Sequence, residues 1–154
     1  ERQPGDLVNV SLLWDGNWGL DLPPAHRRFA HALIDRGAAD IVHGHSSHHP
    51  LPVEVYRGKL VLYGCGDLIN DYEGIEPHGS LRCDVGCLYF ATLGRADGRL
   101  RRVLIVPLQL RRFRLERAGA PACGWLARAF NEEGRGLGTQ VVVDRASGDW
   151  LLRW

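Results

Sequence analysis

Four histidines stand within seven positions in His43-Gly44-His45-Ser46-Ser47-His48-His49-Pro50, in a chain that holds only seven. Neutral imidazole is the commonest metal ligand and the usual general acid or base near neutral pH. His45 and His48 are three apart with small serines between them, so a loop could aim both rings at adjacent coordination positions. His43 and His49 are close enough to act as further ligands or as supporting donors. Metal ligation, acid–base or substrate contact, and a hydrogen-bonded structural patch are the three readings of the cluster. Oxygen donors that could complete a site come from two other loops, Asp15 with Asn17, and Asp67 with Asn70 and Asp71. Mixed oxygen and imidazole ligands suit Mn, Fe or Zn better than Ca or Mg. Each of these acids, taken singly, is more often a turn former than a ligand. Trp14 and Trp18 bracket the first loop, as core residues or as walls of a substrate groove.

The elements that must position these groups follow from hydrophobic pattern. Residues 6–14 are nearly continuous in apolar and β-favouring side chains, which predicts a strand buried on both faces. Pro23-Pro24 opens a helix through Arg36, with Phe29, Ala30, Leu33 and Ile34 on one face and Gly37 ending it. Residues 39–42 form a second short strand, followed directly by the histidines. Strand, helix and strand in this order make a βαβ unit, whose two parallel strands end at the same edge. Three antiparallel hairpins are then expected: 53–56 with 59–63 around Arg57-Gly58, 87–93 with 99–110 around Ala96-Asp97-Gly98, and 139–143 with 149–154 around Ser147-Gly148. A short helix is expected over residues 121–132. The fold class is therefore α/β, a βαβ unit followed by antiparallel hairpins, in one compact domain over residues 1–154.

Composition narrows the partners. Charge is balanced, with 19 basic and 18 acidic residues and a net charge of +1, which gives no general argument for nucleic acid or a membrane surface. Seven arginines between Arg99 and Arg117 are read first as a solvated sheet face, and second as a contact for phosphate, a polyanion or nucleic acid. No apolar run is long enough to span a bilayer and no signal peptide opens the sequence, so a soluble chain is expected. The sequence has no methionine, even at position 1, as expected of a processed product or the C-terminal piece of something longer. Cys65, Cys83, Cys87 and Cys123 fit no zinc spacing and read as small buried apolar groups.

Three ordered motifs carry a family resemblance: residues 11–18 (SLLWDGNW), 44–50 (GHSSHHP) and 62–74 (LYGCGDLINDYEG). Together they resemble the C-terminal half of the CapA family, the bacterial capsule or poly-γ-glutamate synthesis proteins, a branch of the calcineurin-like metallophosphatases. The resemblance implies a layered α/β/β/α sandwich lacking its N-terminal half, and metal-dependent phosphoester hydrolysis as family chemistry. It implies His45 and His48 as metal ligands with His43 beside them, and Asn17 and Asp67 as catalytic residues. The divalent metal would be Mn, Fe or Zn, binuclear only with the missing N-terminal half or a partner chain. The family reads Ser-Leu-His-Trp-Gly in the first motif, where this chain has Leu13 and Asp15. That departure, with the absent early ligands, raises the alternative of a non-catalytic, degenerate module that binds an anionic polymer or a partner protein.

Overall fold

The computed structural model describes residues 3, 5–14, 16, 18–69 and 79–154. The chain is mixed α/β, with two β-sheets and few helices. Sheet 1 holds β1 (Asn9–Leu13), β2 (Ile41–His45), β3 (Val53–Tyr56) and β4 (Lys59–Leu62) in the order β1-β2-β4-β3. β1, β2 and β4 run parallel and β3 is antiparallel to β4. The expected βαβ unit is present, with α1 (Pro24–Asp35) as its crossover and Pro24 at the first helical turn, where a missing N–H costs nothing. Gly37 follows at φ +67°, the left-handed conformation that lets the chain turn away.

β1 differs from expectation. It is an edge strand with alternating exposure, not one buried on both faces, because only β2 pairs with it among the described residues. Its Asn9, Ser11 and Leu13 lie exposed on the face that looks toward sheet 2. Leu13 is 74% exposed.

Sheet 2 holds β5 (Val85–Leu93), β6 (Leu100–Arg111), β7 (Arg114–Arg117), β8 (Gln140–Val143) and β9 (Trp150–Arg153), ordered β5-β6-β9-β8 with β7 also on β6. The expected hairpins are all there. β7 was not expected: the Arg111-to-Arg114 turn carries Arg112 and Phe113, both at positive φ without a glycine to announce it. The last helix covers the expected residues but changes its hydrogen-bond pattern part-way. α2 (Ala120–Arg128) passes into a wider π-turn over Ala129–Glu133, which seats Phe130 in the core and lets Asn131 bond the backbone of Val141 in both directions.

Two cores result. One lies between the sheets, where Val53, Leu60 and Leu62 meet Val85, Val103, Ile105 and Leu152, closed off by Leu126 and Phe130. The other joins α1 to the opposite face of sheet 1 through Ala30, Ile34, Val42, Val61 and Tyr63. Phe29 is half exposed and meets this core only at its margin, edge-on to Trp14.

An ion pair with a buried carboxylate ties the layers. Lys59, the single lysine of the chain, donates to Asp40 Oδ1 at 2.5 Å and to the Asp97 carbonyl at 2.8 Å. Asp40 also accepts from the Val8 amide at 2.9 Å. Gly98, at φ +59°, packs so closely on this pair that a Cβ there would collide with Asp40. All four thiols are free; Cys83 and Cys87 are buried, and Cys65 and Cys123 partly so. Burial pushes the Cys65 thiol up to about 12 and Cys87 higher still, so these are packing groups rather than nucleophiles.

Candidate functional site

The parallel strands β1, β2 and β4 end at one edge of sheet 1, and the loops that follow them carry the candidate residues. His43, Gly44 and His45 are the last three residues of β2 itself, not a loop after it. The register sets them beside Ser11, Leu12 and Leu13 of β1. Strand alternation puts His43 and His45 on the same face, their rings 5.9 Å apart. Ser11 Oγ is hydrogen-bonded to His43 Nδ1 at 3.1 Å. Burial, then the neighbouring His45, lowers the pKa of His43, so its ring stays neutral at physiological pH.

Gly44 faces the other way and is required there. A Cβ at this position would collide with the Trp14 indole, which stacks on His26 at 4.5 Å between ring centres. Trp14 is thus a packing residue of the first loop, with its Nε1 left without a hydrogen-bond partner. Beyond the strand, Ser46 holds φ +122°, a sparsely populated conformation for a residue with a side chain, in the step between His45 and His48.

His48 donates from Nδ1 to Asp67 Oδ2 at 3.0 Å. The bond fixes its tautomer and leaves Nε2 as the available lone pair. Trp18 lies against the same ring at 5.3 Å. Asp67 reaches this position because Gly66, at φ +73°, turns the chain against Pro50, where a Cβ would come within 2.8 Å of the proline ring. His49 is different in kind: fully buried, its Nδ1 3.3 Å from the Pro50 carbonyl and its ring edge-on to Trp125. Desolvation lowers its pKa, and its Nε2 finds no partner.

The structure therefore brings together His43 with His45, and His48 with Asp67. It sets His49 apart as a structural ring. Asn17, Asp15, Asn70 and Asp71 lie outside the described residues. Among the described residues no three histidine, cysteine, aspartate or glutamate side chains converge as a metal site. Leu13, opposite His45 in register, contributes no donor.

One polar cluster was not foreseen. Glu54 on β3 sits buried beneath α1 and accepts from Arg27 at 2.8 Å, His31 at 3.1 Å and the Tyr63 hydroxyl at 2.6 Å. Burial pushes its carboxyl up, but the bonds from Tyr63, Arg27 and His31 outweigh that and hold it below the ordinary value. His31 stacks on Tyr56 at 3.6 Å. Val53-Glu54-Val55-Tyr56 reads as an ordinary half-exposed strand, so only a helix lying over it could have revealed the role of Glu54.

Sequence comparison decides the family. The model of the bacterial capsule synthesis protein PGA_cap matches residues 1–72, the stretch containing β1, the histidines and Asp67. A probable polyglutamine synthesis accessory protein of Mycobacterium tuberculosis is 46% identical over 143 residues, 93% of this chain. The chain belongs to the CapA family of bacterial capsule synthesis proteins. The PGA biosynthesis protein CapA of Bacillus subtilis is 34% identical over 70 residues, 46% of this chain and 18% of that protein. The capsule biosynthesis protein CapA of Bacillus anthracis is 32% identical over 66 residues, 43% of this chain and 16% of that protein. This chain spans 37% of the length of the mycobacterial relative. No described helix is long and apolar enough to cross a membrane.

Proposed function

We propose that this CapA-family chain contributes the histidine-bearing edge of a capsule or poly-γ-glutamate synthesis protein whose chemistry is metal-dependent phosphoester hydrolysis. The observation that carries this reading is the His48–Asp67 hydrogen bond, at the strand edge that also presents His45. A carboxylate accepting from one ring nitrogen orients the imidazole and makes the other nitrogen a better ligand. His45 and His48 would hold Mn, Fe or Zn, with Asp67 as the orienting group and His43 as a neutral neighbour held by Ser11. The donor set fits part of a centre: two imidazoles fall short of the three or four protein ligands that such a metal takes. The remaining ligands would come from a preceding segment or a partner chain that completes a layered α/β/β/α sandwich. When bound, such a metal lowers the pKa of water and polarises a phosphoryl oxygen. Asn17, which follows β1 in the sequence and lies outside the described residues, is proposed as a further catalytic residue.

Metal analysis after purification in excess Mn, Fe or Zn tests this. About one equivalent that disappears in the His45→Ala/His48→Ala variant supports the assignment; retention in that variant overturns it. Leu13, exposed beside His45, favours a second reading in which the edge is a degenerate, non-catalytic module. Metal binding without phosphomonoester hydrolysis, when the N-terminal half is supplied, would decide for that one.

A further inference from the structure

The turn that joins β6 to β7 is built against local preference. Arg112 and Phe113 stand at φ +49° and +59°, so both central residues are left-handed, the tight hairpin form that favours Asn-Gly. The β3–β4 turn has the same form and places Gly58 at its second position. Here that position is Phe113, a bulky side chain in a conformation such residues rarely adopt. The ring is not held there by burial, since it is 57% exposed. Arg111 and Arg114 are exposed on either side of the turn, and neither has an ion pair among the described residues.

The hairpin projects from a particular end of the molecule. β6 starts beside the β3–β4 turn, where the Leu100 amide donates to the Gly58 carbonyl at 2.7 Å. Near its other end Leu108 pairs with Gly86, which lies so close to the Asp67 carbonyl that a Cβ would collide with it. The strand runs on from Leu108 to Arg111, roughly 10 Å further. The tip therefore stands at the end that carries the histidine edge. Leu13 and Ile69, both 74% exposed, belong to that end too, one closing β1 beside His45 and the other two residues after Asp67.

Charge is divided between the layers. Residues 1–84, which hold sheet 1, carry six arginines, Lys59 and 12 acids, a net −5. Residues 85–154, which hold sheet 2, carry 12 arginines and 6 acids, a net +6. Of the carboxylates near the tip, Asp84 is occupied by Arg82 and Gln109, and Glu116 is exposed on β7.

We infer that this end of the molecule docks on an anionic phospholipid bilayer through the β6–β7 hairpin. Phe113 enters the boundary between headgroups and acyl chains, and Arg111 and Arg114 reach lipid phosphates with forked donors. The charge division favours an approach with the sheet 2 side leading. A soluble polyanion would engage the arginines and leave the ring in water, whereas a bilayer uses both. Docking does not depend on metal or hydrolysis at the histidine edge, but it turns that edge toward the lipid surface.

Co-sedimentation of the full chain with vesicles of mixed phosphatidylcholine and phosphatidylglycerol tests this, with pure phosphatidylcholine vesicles as the reference. Wild-type chain should sediment with the anionic vesicles only, and less of it as salt is added. Arg111→Glu/Arg114→Glu should weaken binding at least about tenfold. Arg102→Glu/Arg153→Glu changes the charge equally at the opposite end of sheet 2 and should weaken it far less. Asparagine suits a left-handed turn better than phenylalanine, so Phe113→Asn keeps the hairpin and every charge. It should still weaken binding about threefold or more. Absent or equal binding to the two kinds of vesicle, equal losses in the two double variants, or unchanged binding by Phe113→Asn would each overturn the inference. Tighter binding to a DNA duplex than to the anionic vesicles would overturn it as well.

Discussion

Two histidine-containing clusters occupy opposite faces of sheet 1, and they are built on opposite principles. Under α1, Glu54 is enclosed and every polar atom of its carboxylate is answered, by Arg27, His31 and Tyr63. At the β2 edge, His45 is exposed, His48 has one nitrogen held by Asp67 and the other without a hydrogen bond among the described residues, and Leu13 brings no donor beside His45. A satisfied buried network is stability and specificity; a strand edge with an oriented, unspent lone pair is where the proposed metal site would form. The difference teaches that histidine density alone does not mark a site. What marks it is a ring nitrogen that the fold orients and then leaves over.

The sharpest way to break this contrast is Glu54→Ala. It removes the shared acceptor of three groups, and loss of one partner from a buried charge pair costs about 3–5 kcal/mol. The urea midpoint should fall steeply, and a loss under about 1 kcal/mol would show that the network is not closed. Next in size, His45→Ala/His48→Ala should abolish metal uptake while shifting the urea midpoint little, because His45 faces solvent and His48 is only partly buried. A large destabilisation would make the edge structural after all.

Asp67→Asn refines the same point. It keeps the shape but weakens the acceptor at His48, and metal affinity should drop about 10–100-fold. The pH dependence of stability separates the clusters again. Glu54 has a folded pKa below its ordinary value of 4.5, so the stability it contributes is complete above that value and is lost as pH falls through the folded pKa. Glu54→Gln should flatten the acid limb of a urea-midpoint profile, whereas an unchanged limb would assign acid unfolding to other carboxylates. Smallest is Leu13→His, which adds an imidazole beside His45 at an exposed position. Metal should bind more tightly with no change in thermal midpoint.

Much of this was legible in residue order. The βαβ unit, the Arg57-Gly58 hairpin and the histidine-bearing edge follow from periodicity and turn chemistry, and both turn residues take the positive φ that such a tight hairpin demands. Register was not legible, and register is what sets Ser11 on His43 and Leu13 beside His45. Glu54 was hidden for a related reason. β3 is covered on both faces, by sheet 2 at Val53 and by α1 at Glu54, so its alternation carries no sign of which side meets water. β7 escaped because Arg112 and Phe113 take left-handed conformations that only pairing with β6 compensates. β1 misled because a run of apolar residues cannot say whether a second neighbour strand exists.

The partly buried, doubly held Lys59 has a practical consequence. With 18 arginines and no other lysine, the chain has one side-chain amine, and the fold locks it between Asp40 and the Asp97 carbonyl. Beside the α-amino group, amine-directed reagents therefore have only this one restrained side chain to modify. Labelling at Lys59 becomes a single-residue clock for the moments when the β5–β6 turn lifts away from sheet 1.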